Sequence, residues 1–302
     1  SVFPQDGASE DELIRKADMA MYQAKKLGKN RFHYFDESLE RLAIHRVKTE
    51  ESLRKAITNK EFELHYQPKM KISGNEEKIM GFEALIRWNR EDGSTTYPDS
   101  FITLAEENGL IRDLTNWVIT EACRQLSEWK NTKLSGIPIS VNVSAIDISD
   151  DDFVSSTLSI LNSSKTPGHL LELELTESVF FDDISSVNGK LGTLKANNIK
   201  LSLDDFGTGY SSFSYLKDLN IDYLKIDKSF IQAMSENPKS LAIVRSIIDL
   251  GKNLDLTVIA EGVETINDKN MLLKIGCHIA QGYLYSRPKS PQEIYELYNP
   301  IN

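Results

Sequence analysis

Carboxylates stand where several short apolar runs of this chain end. Glu83 lies in GFEALIRW, Glu174 in ELTES, Asp204 and Asp205 in DDFGTGY, Asp227 in LKID and Glu261 in AEGVE, while Asn142 lies in VNVS. If these runs are strands of one barrel, the residues at their C-terminal ends share a mouth. So many anions there would repel strongly unless cations neutralised them. None of the five histidines and neither cysteine belongs to the set. The donors are therefore hard oxygens, which suit Mg2+, Mn2+ or Ca2+ better than zinc. Two such ions sharing an aspartate are a known apparatus for in-line displacement at a phosphodiester. The adjacent side chains of Asp204 and Asp205 diverge, so they can serve two neighbouring ions, and Gly207 and Gly209 permit a tight turn after them.

Two basic residues join this set. Lys225 interrupts the apolar run YLKI and must face either the helices or the barrel interior, where it could orient a water or a phosphate or simply snorkel. Arg87, four residues after Glu83, could present a guanidinium fork to a phosphate or close a surface salt bridge. Each of these residues also has a plain structural reading: Asp205 could cap a helix, Glu174 could face solvent on a strand edge, and Asn142 could stabilise a turn.

The elements that would position these groups are legible from periodicity. Strands are expected at 62–67, 79–87, 137–143, 170–175, 200–203, 223–226, 258–261 and 278–283, with helices between most of them. The clearest helices are 114–129, with Leu114, Trp117, Val118, Ala122, Leu126 and Trp129 on one face, and 241–254. This alternation is that of an α/β protein, a (β/α)8 TIM-like barrel. The link from 67 to 79 (PKMKISGNEEK) is too short and polar for a helix, so the first two strands form a hairpin and one barrel strand runs antiparallel. Upstream, Leu13, Ile14, Ala17, Met21 and Ala24 mark a helix, Gly28 a stop, and 31–34 a short strand; 37–60 reads as one or two connecting helices.

Composition narrows the function further. A hydrophobic fraction of 40% and a charged fraction of 26% are those of a folded soluble protein. Thirty-five basic residues against 45 acidic give a net charge of −10, which repels a long phosphate backbone but leaves room for a small phosphate ester held by cations. No apolar run approaches the roughly 20 residues of a membrane span, and SVFPQDGASEDE lacks the order of a secretory signal. Two cysteines, Cys123 and Cys277, make no disulfide framework, so a cytoplasmic location without membrane contact is expected.

GFEALIRW, with Glu83-Ala84-Leu85, resembles the signature of EAL-domain cyclic di-GMP phosphodiesterases. YQPK, PDSFITLAEENGLI, VNVS, ELTES, DDFGTGYSS, LKID, AEGVE and QGYLYSRP follow in the family's order, covering 51–298. The resemblance implies metal-dependent hydrolysis of cyclic di-GMP to linear pGpG. One Mg2+ or Mn2+ would be held by Glu83, Asn142, Glu174 and Asp204, and a second by Asp204, Asp205 and Glu261; Ca2+ would bind but inhibit. Lys225 would hold the nucleophilic water beside Glu83 and Glu261. Gln67, Arg87, Gln281 and Asp227 would contact the substrate, with Glu177 bracing the DDFGTGYSS loop and Glu264 giving further support. The family also implies a homodimer. The stretch ADMAMYQAKKLGKNRF is similar to the end of a GGDEF domain, so the expected organisation is a GGDEF remnant at 1–36, a linker helix at 37–50 and the EAL domain at 51–302, a fragment of a tandem protein. A catalytically silent cyclic di-GMP receptor, and an enzyme acting on another phosphate ester, are the competing readings.

Overall fold

Alternation with a period of two builds the sheet on which the site rests. In a computed structural model describing residues 1–26, 30–74, 76–90, 92–180, 184–207 and 216–299, the chain opens with helices α1 (Glu10–Lys26) and α2 (Glu37–Asn59). Strands β1 (Phe62–Ser73) and β2 (Glu76–Asn89) then pair antiparallel, and the two-residue β3 (Thr95–Thr96) borders β2. Helices α3 (Ile102–Glu107) and α4 (Ile111–Trp129) lead to β4 (Ile139–Val143), and α5 (Ala145–Ser149) and α6 (Phe153–Ser164) lead to β5 (Leu171–Thr176). Next come α7 (Ile184–Ala196), β6 (Lys200–Phe206), β7 (Tyr223–Ile226), α8 (Lys228–Ala233), α9 (Pro238–Asn253), β8 (Thr257–Ala260), α10 (Ile266–Lys274), β9 (Ile279–Gln281) and α11 (Pro291–Tyr298).

The strand order β1-β9-β8-β7-β6-β5-β4-β2 closes on itself because β1 also pairs with β2. The result is the expected α/β barrel. β1 is antiparallel to both neighbours, and the other barrel pairings are parallel. The closure is uneven: β8 and β9 share a single register pair, Ala260 with Ala280, and β9 meets β1 over three.

In β5, LELELT, the leucines Leu171, Leu173 and Leu175 are fully buried on one face and Glu172 and Glu174 are buried on the other. The same parity holds in β4, where Ile139, Val141 and Val143 alternate with Ser140 and Asn142, and in β6, where Leu201 and Leu203 alternate with Ser202 and Asp204. The apolar set packs outward beneath helices such as α4, α7 and α9, and the polar set turns into the lumen, where buried ion pairs cross from strand to strand. Most barrels of this class fill the lumen with branched aliphatic side chains; this one puts its hydrocarbon outside.

Two expectations need correction. Residues 31–34 form no strand: among the described residues no strand of the sheet includes or borders them, and Phe32 and Tyr34 are exposed, touching each other edge-on. The polar residues 68–73 are not a connection but the continuation of β1, since the lumen accepts the polar side chain of Lys69 and the hairpin turns only at Gly74, with φ +59°. The connecting helix expected within 37–60 is the single element α2, unbroken to Asn59 and burying Leu53 and Ala56; the side chains of Leu42 and Ile44, and Gly28, lie outside the described residues.

Candidate active site

The inward parity gathers residues far apart in sequence around one ammonium group. Lys225 of β7 is fully buried in the lumen, and its Nζ lies 2.5 Å from Glu174 Oε2, 2.9 Å from Asp204 Oδ2, 2.5 Å from Glu261 Oε1 and 3.9 Å from Glu83 Oε2. Burial alone would favour a neutral amine, but Asp204, Glu174, Glu261 and Glu83 outweigh it and hold the lysine charged. Glu174 shows the same contest: burial pushes its carboxyl up, and Lys225 and Lys69 override this and bring it to about 2. Asn142 Nδ2 donates to Glu83 Oε1 at 2.8 Å, which leaves the Asn142 amide oxygen as a further donor atom for a cation.

One lysine does not neutralise this set. Glu83 and Glu261 are raised above the ordinary carboxylate range by burial and by the neighbouring anions, against the pull of Lys225. Asp205 is pushed up to about 6 by burial and by the charges of Asp204 and Asp227. Asp204, Asp205 and Glu261 each offer an oxygen within 4.8 Å of the others. An excess of negative charge on oxygen donors in a partly dry mouth fits hard divalent cations. Asp205 is aimed there by a left-handed backbone, φ +53°, and Gly207 follows with φ +100°.

The remaining candidates take distinct positions. Gln281 Nε2 donates to Glu83 Oε2 at 2.5 Å and to Gln67 Oε1 at 3.0 Å, so the two glutamines and the glutamate form one chain along the rim. Gln67 in turn donates to the Ser286 carbonyl at 3.0 Å. Arg87 is buried rather than engaged in a surface salt bridge: its Nη1 donates to the Ile86 carbonyl at 2.9 Å, and its guanidinium stands 5.1 Å from the Tyr97 ring centroid. Asp227 accepts from Ser229 N at 2.9 Å as the cap of α8, and it is one of the anions that raise Asp205. Glu177 Oε1 accepts from Gly207 N at 2.8 Å, at the start of the loop it is expected to brace; 208–215 lie outside the described residues. Glu264 does not reach that loop in any described contact but accepts from Gln232 in α8 at 2.9 Å.

Above these groups opens a cleft of about 580 Å³ lined by Gln67, Glu83, Asp204, Asp205, Glu261 and Gln281 together with Asp99, Lys228 and Tyr283. Sequence reasoning missed Lys69 and Glu172, which lie beneath the cleft. The signal was present: acids at alternate positions of LELELT have the parity of the lumen once the leucines are assigned to the helices.

A model of the EAL domain family matches residues 50–288. The chain belongs to this family. It is 42% identical over 293 residues to the signaling protein YkoW of Bacillus subtilis, and 38% identical over 295 residues to MucR of Pseudomonas aeruginosa, a bifunctional diguanylate cyclase/cyclic di-GMP phosphodiesterase. Each alignment covers 97% of this EAL chain but only 36% and 43% of those relatives, so the chain spans less than half of their length. Among solved structures, the PaMucR phosphodiesterase in complex with c-di-GMP superposes with a TM-score of 0.77 at 38% identity, covering 81% of this chain and 98% of that one. The EAL enzyme Bd1971, in its cAMP and cyclic-di-GMP bound form, superposes with a TM-score of 0.81 at 29% identity, covering 98% and 77%.

Proposed function

We propose that this EAL domain is a phosphodiesterase that hydrolyses cyclic di-GMP to linear pGpG with two divalent cations, Mg2+ or Mn2+. The observation that carries the reading is the convergence of Glu83, Asn142, Glu174, the adjacent pair Asp204 and Asp205 of β6, and Glu261 just after β8 on one mouth whose negative charge Lys225 leaves partly unbalanced. The likeness to MucR, whose name includes cyclic di-GMP phosphodiesterase, and to the PaMucR phosphodiesterase structure in complex with c-di-GMP supports the substrate.

Glu83, Asn142, Glu174 and Asp204 would hold one cation and Asp204, Asp205 and Glu261 the other. Bound cations would supply Lewis acidity and draw the pKa of a water towards neutrality. Lys225, whose ammonium now contacts Glu174, Asp204 and Glu261, would orient that water by turning one of its three N–H groups from a carboxylate to the water oxygen. Water oxygen adds to phosphorus, the P–O3′ bond breaks, and the departing 3′ oxygen takes up a proton, so no covalent enzyme intermediate forms. Gln67, Gln281, Arg87 and Asp227 would fix the dinucleotide, with Arg87 suited to a phosphate if its guanidinium turns from the carbonyls it now meets. Glu177 would keep the Asp205–Gly207 turn in shape, with Glu264 adding support through Gln232.

The wider reading is of a cytoplasmic homodimer. No described helix is long and apolar enough to cross a membrane. Residues 1–36 are read as the end of a GGDEF domain, supported by an alignment with the diguanylate cyclase MucR that spans 97% of the chain.

The deciding experiment incubates the purified chain with cyclic di-GMP and Mn2+ or Mg2+ and follows the nucleotides by ion-pair chromatography. Appearance of pGpG, abolished by chelator, is the expected result. Intact dinucleotide that nevertheless binds would make the domain a receptor, and equal cleavage of cyclic di-AMP would remove the guanine specificity.

A further inference from the structure

Beneath the cleft, the geometry points to Lys69 as a positioning residue for Glu174: a second buried ammonium that sets how this carboxylate presents itself to a cation. The inference rests on the metal-dependent reading above. Lys69 is fully buried, and its Nζ lies 2.6 Å from Glu174 Oε1 and 2.7 Å from Glu172 Oε1. Glu174 Oε2 faces Lys225 at 2.5 Å, so each oxygen of this carboxylate is held by a different ammonium group. A glutamate has three side-chain torsions, and one contact would leave its carboxylate free to turn; two fixed contacts on opposite oxygens define its plane.

The reversed direction of β1 is what allows this arrangement. Gln67 pairs in register with Glu83 and Lys69 with Gly81, two residues earlier on β2, so the chain passes the mouth at Gln67 and descends to Lys69. Glu172 completes the group from below. Removing one partner of a buried ion pair leaves the other uncompensated and strongly destabilises the fold. Lys69 alone therefore cannot be deleted cleanly, but Lys69 and Glu172 can be neutralised together, leaving Glu174 and Lys225 in place. Whatever that double change does to the cation site then reports on the hold over Glu174.

The test measures Mn2+ binding to metal-free protein by the loss of the free-ion electron paramagnetic resonance signal, beside kcat and KM for cyclic di-GMP. In the K69M/E172Q variant we expect native circular dichroism, Mn2+ affinity lowered at least tenfold, and kcat at saturating Mn2+ lowered with KM within threefold of wild type. Glu172→Gln alone keeps the Lys69–Glu174 contact and should hold Mn2+ within threefold of wild type. A double variant that binds Mn2+ and turns over like wild type would overturn the inference. Should it fail to fold, K69Q/E172Q, which neutralises both groups together but keeps hydrogen-bonding side chains at both positions, decides the matter: weakened Mn2+ binding supports the assignment and wild-type binding refutes it. Wild type that binds no Mn2+ would instead sink the metal-dependent reading itself.

Discussion

At Asp205 charge and backbone shape can be separated. Its φ of +53° is a region that asparagine and aspartate tolerate and most other side chains do not. Asp205→Asn is expected to keep the wild-type melting temperature while losing most turnover and Mn2+ affinity. Asp205→Ala should lose both, with a further destabilisation of about 1 kcal/mol read by denaturant unfolding. Glu83→Ala should abolish pGpG formation, since its carboxylate stands at once beside Lys225, Asn142 and Gln281. Cys123 and Cys277 are buried, and burial pushes the Cys277 thiol up to about 11. Thiolate is the reactive form, so Ellman's reagent at pH 8 should label neither cysteine in the native protein and both in guanidinium.

Among the elements, the last helix is fixed by its cap. Ser290 accepts from Glu293 N through its side chain, and Glu293 accepts from Ser290 N and Oγ, which together with Lys289 draws the Glu293 carboxyl down to about 2. A depressed pKa contributes stability that is present above the unfolded value and is lost as pH falls through the folded one. Glu293→Ala should therefore cost about 1 kcal/mol at pH 7, and the difference from wild type should vanish between pH 4.5 and 2, as followed by urea unfolding at each pH. Elements of this kind were readable in the sequence because caps and apolar spacing are local. The helices at 114–129 and 241–254 differ from the observed α4 and α9 by at most three residues at either end. What could not be read locally was partnership: 31–34 have strand-like residues but no place in the described sheet, and Lys69 and Glu172 look like solvent-facing residues until the barrel closes round them. The ligand candidates were legible because strand ends and acid positions coincide, whereas the depth of each group below the mouth depends on register.

Across the whole molecule, the proposed metal dependence ties stability to cations at the acidic mouth. A cation that binds only the folded state adds stability by mass action, about 2.7 kcal/mol at one hundred times its dissociation constant. Mn2+ should raise the melting temperature of the chelated protein, and Ca2+ should raise it too while supporting little turnover, as read by scanning calorimetry beside the nucleotide assay. The hydrophobic faces of β4, β5, β6 and β7 make a continuous outer core, but the sheet is joined by far less between β8, β9 and β1. The cylinder is thus a bracelet with a clasp, and Gln281 is part of the clasp. Amides at Ile279–Gln281 should exchange with deuterium sooner than those of Leu171–Thr176, so a guest that grips Gln281 would also fasten the bracelet.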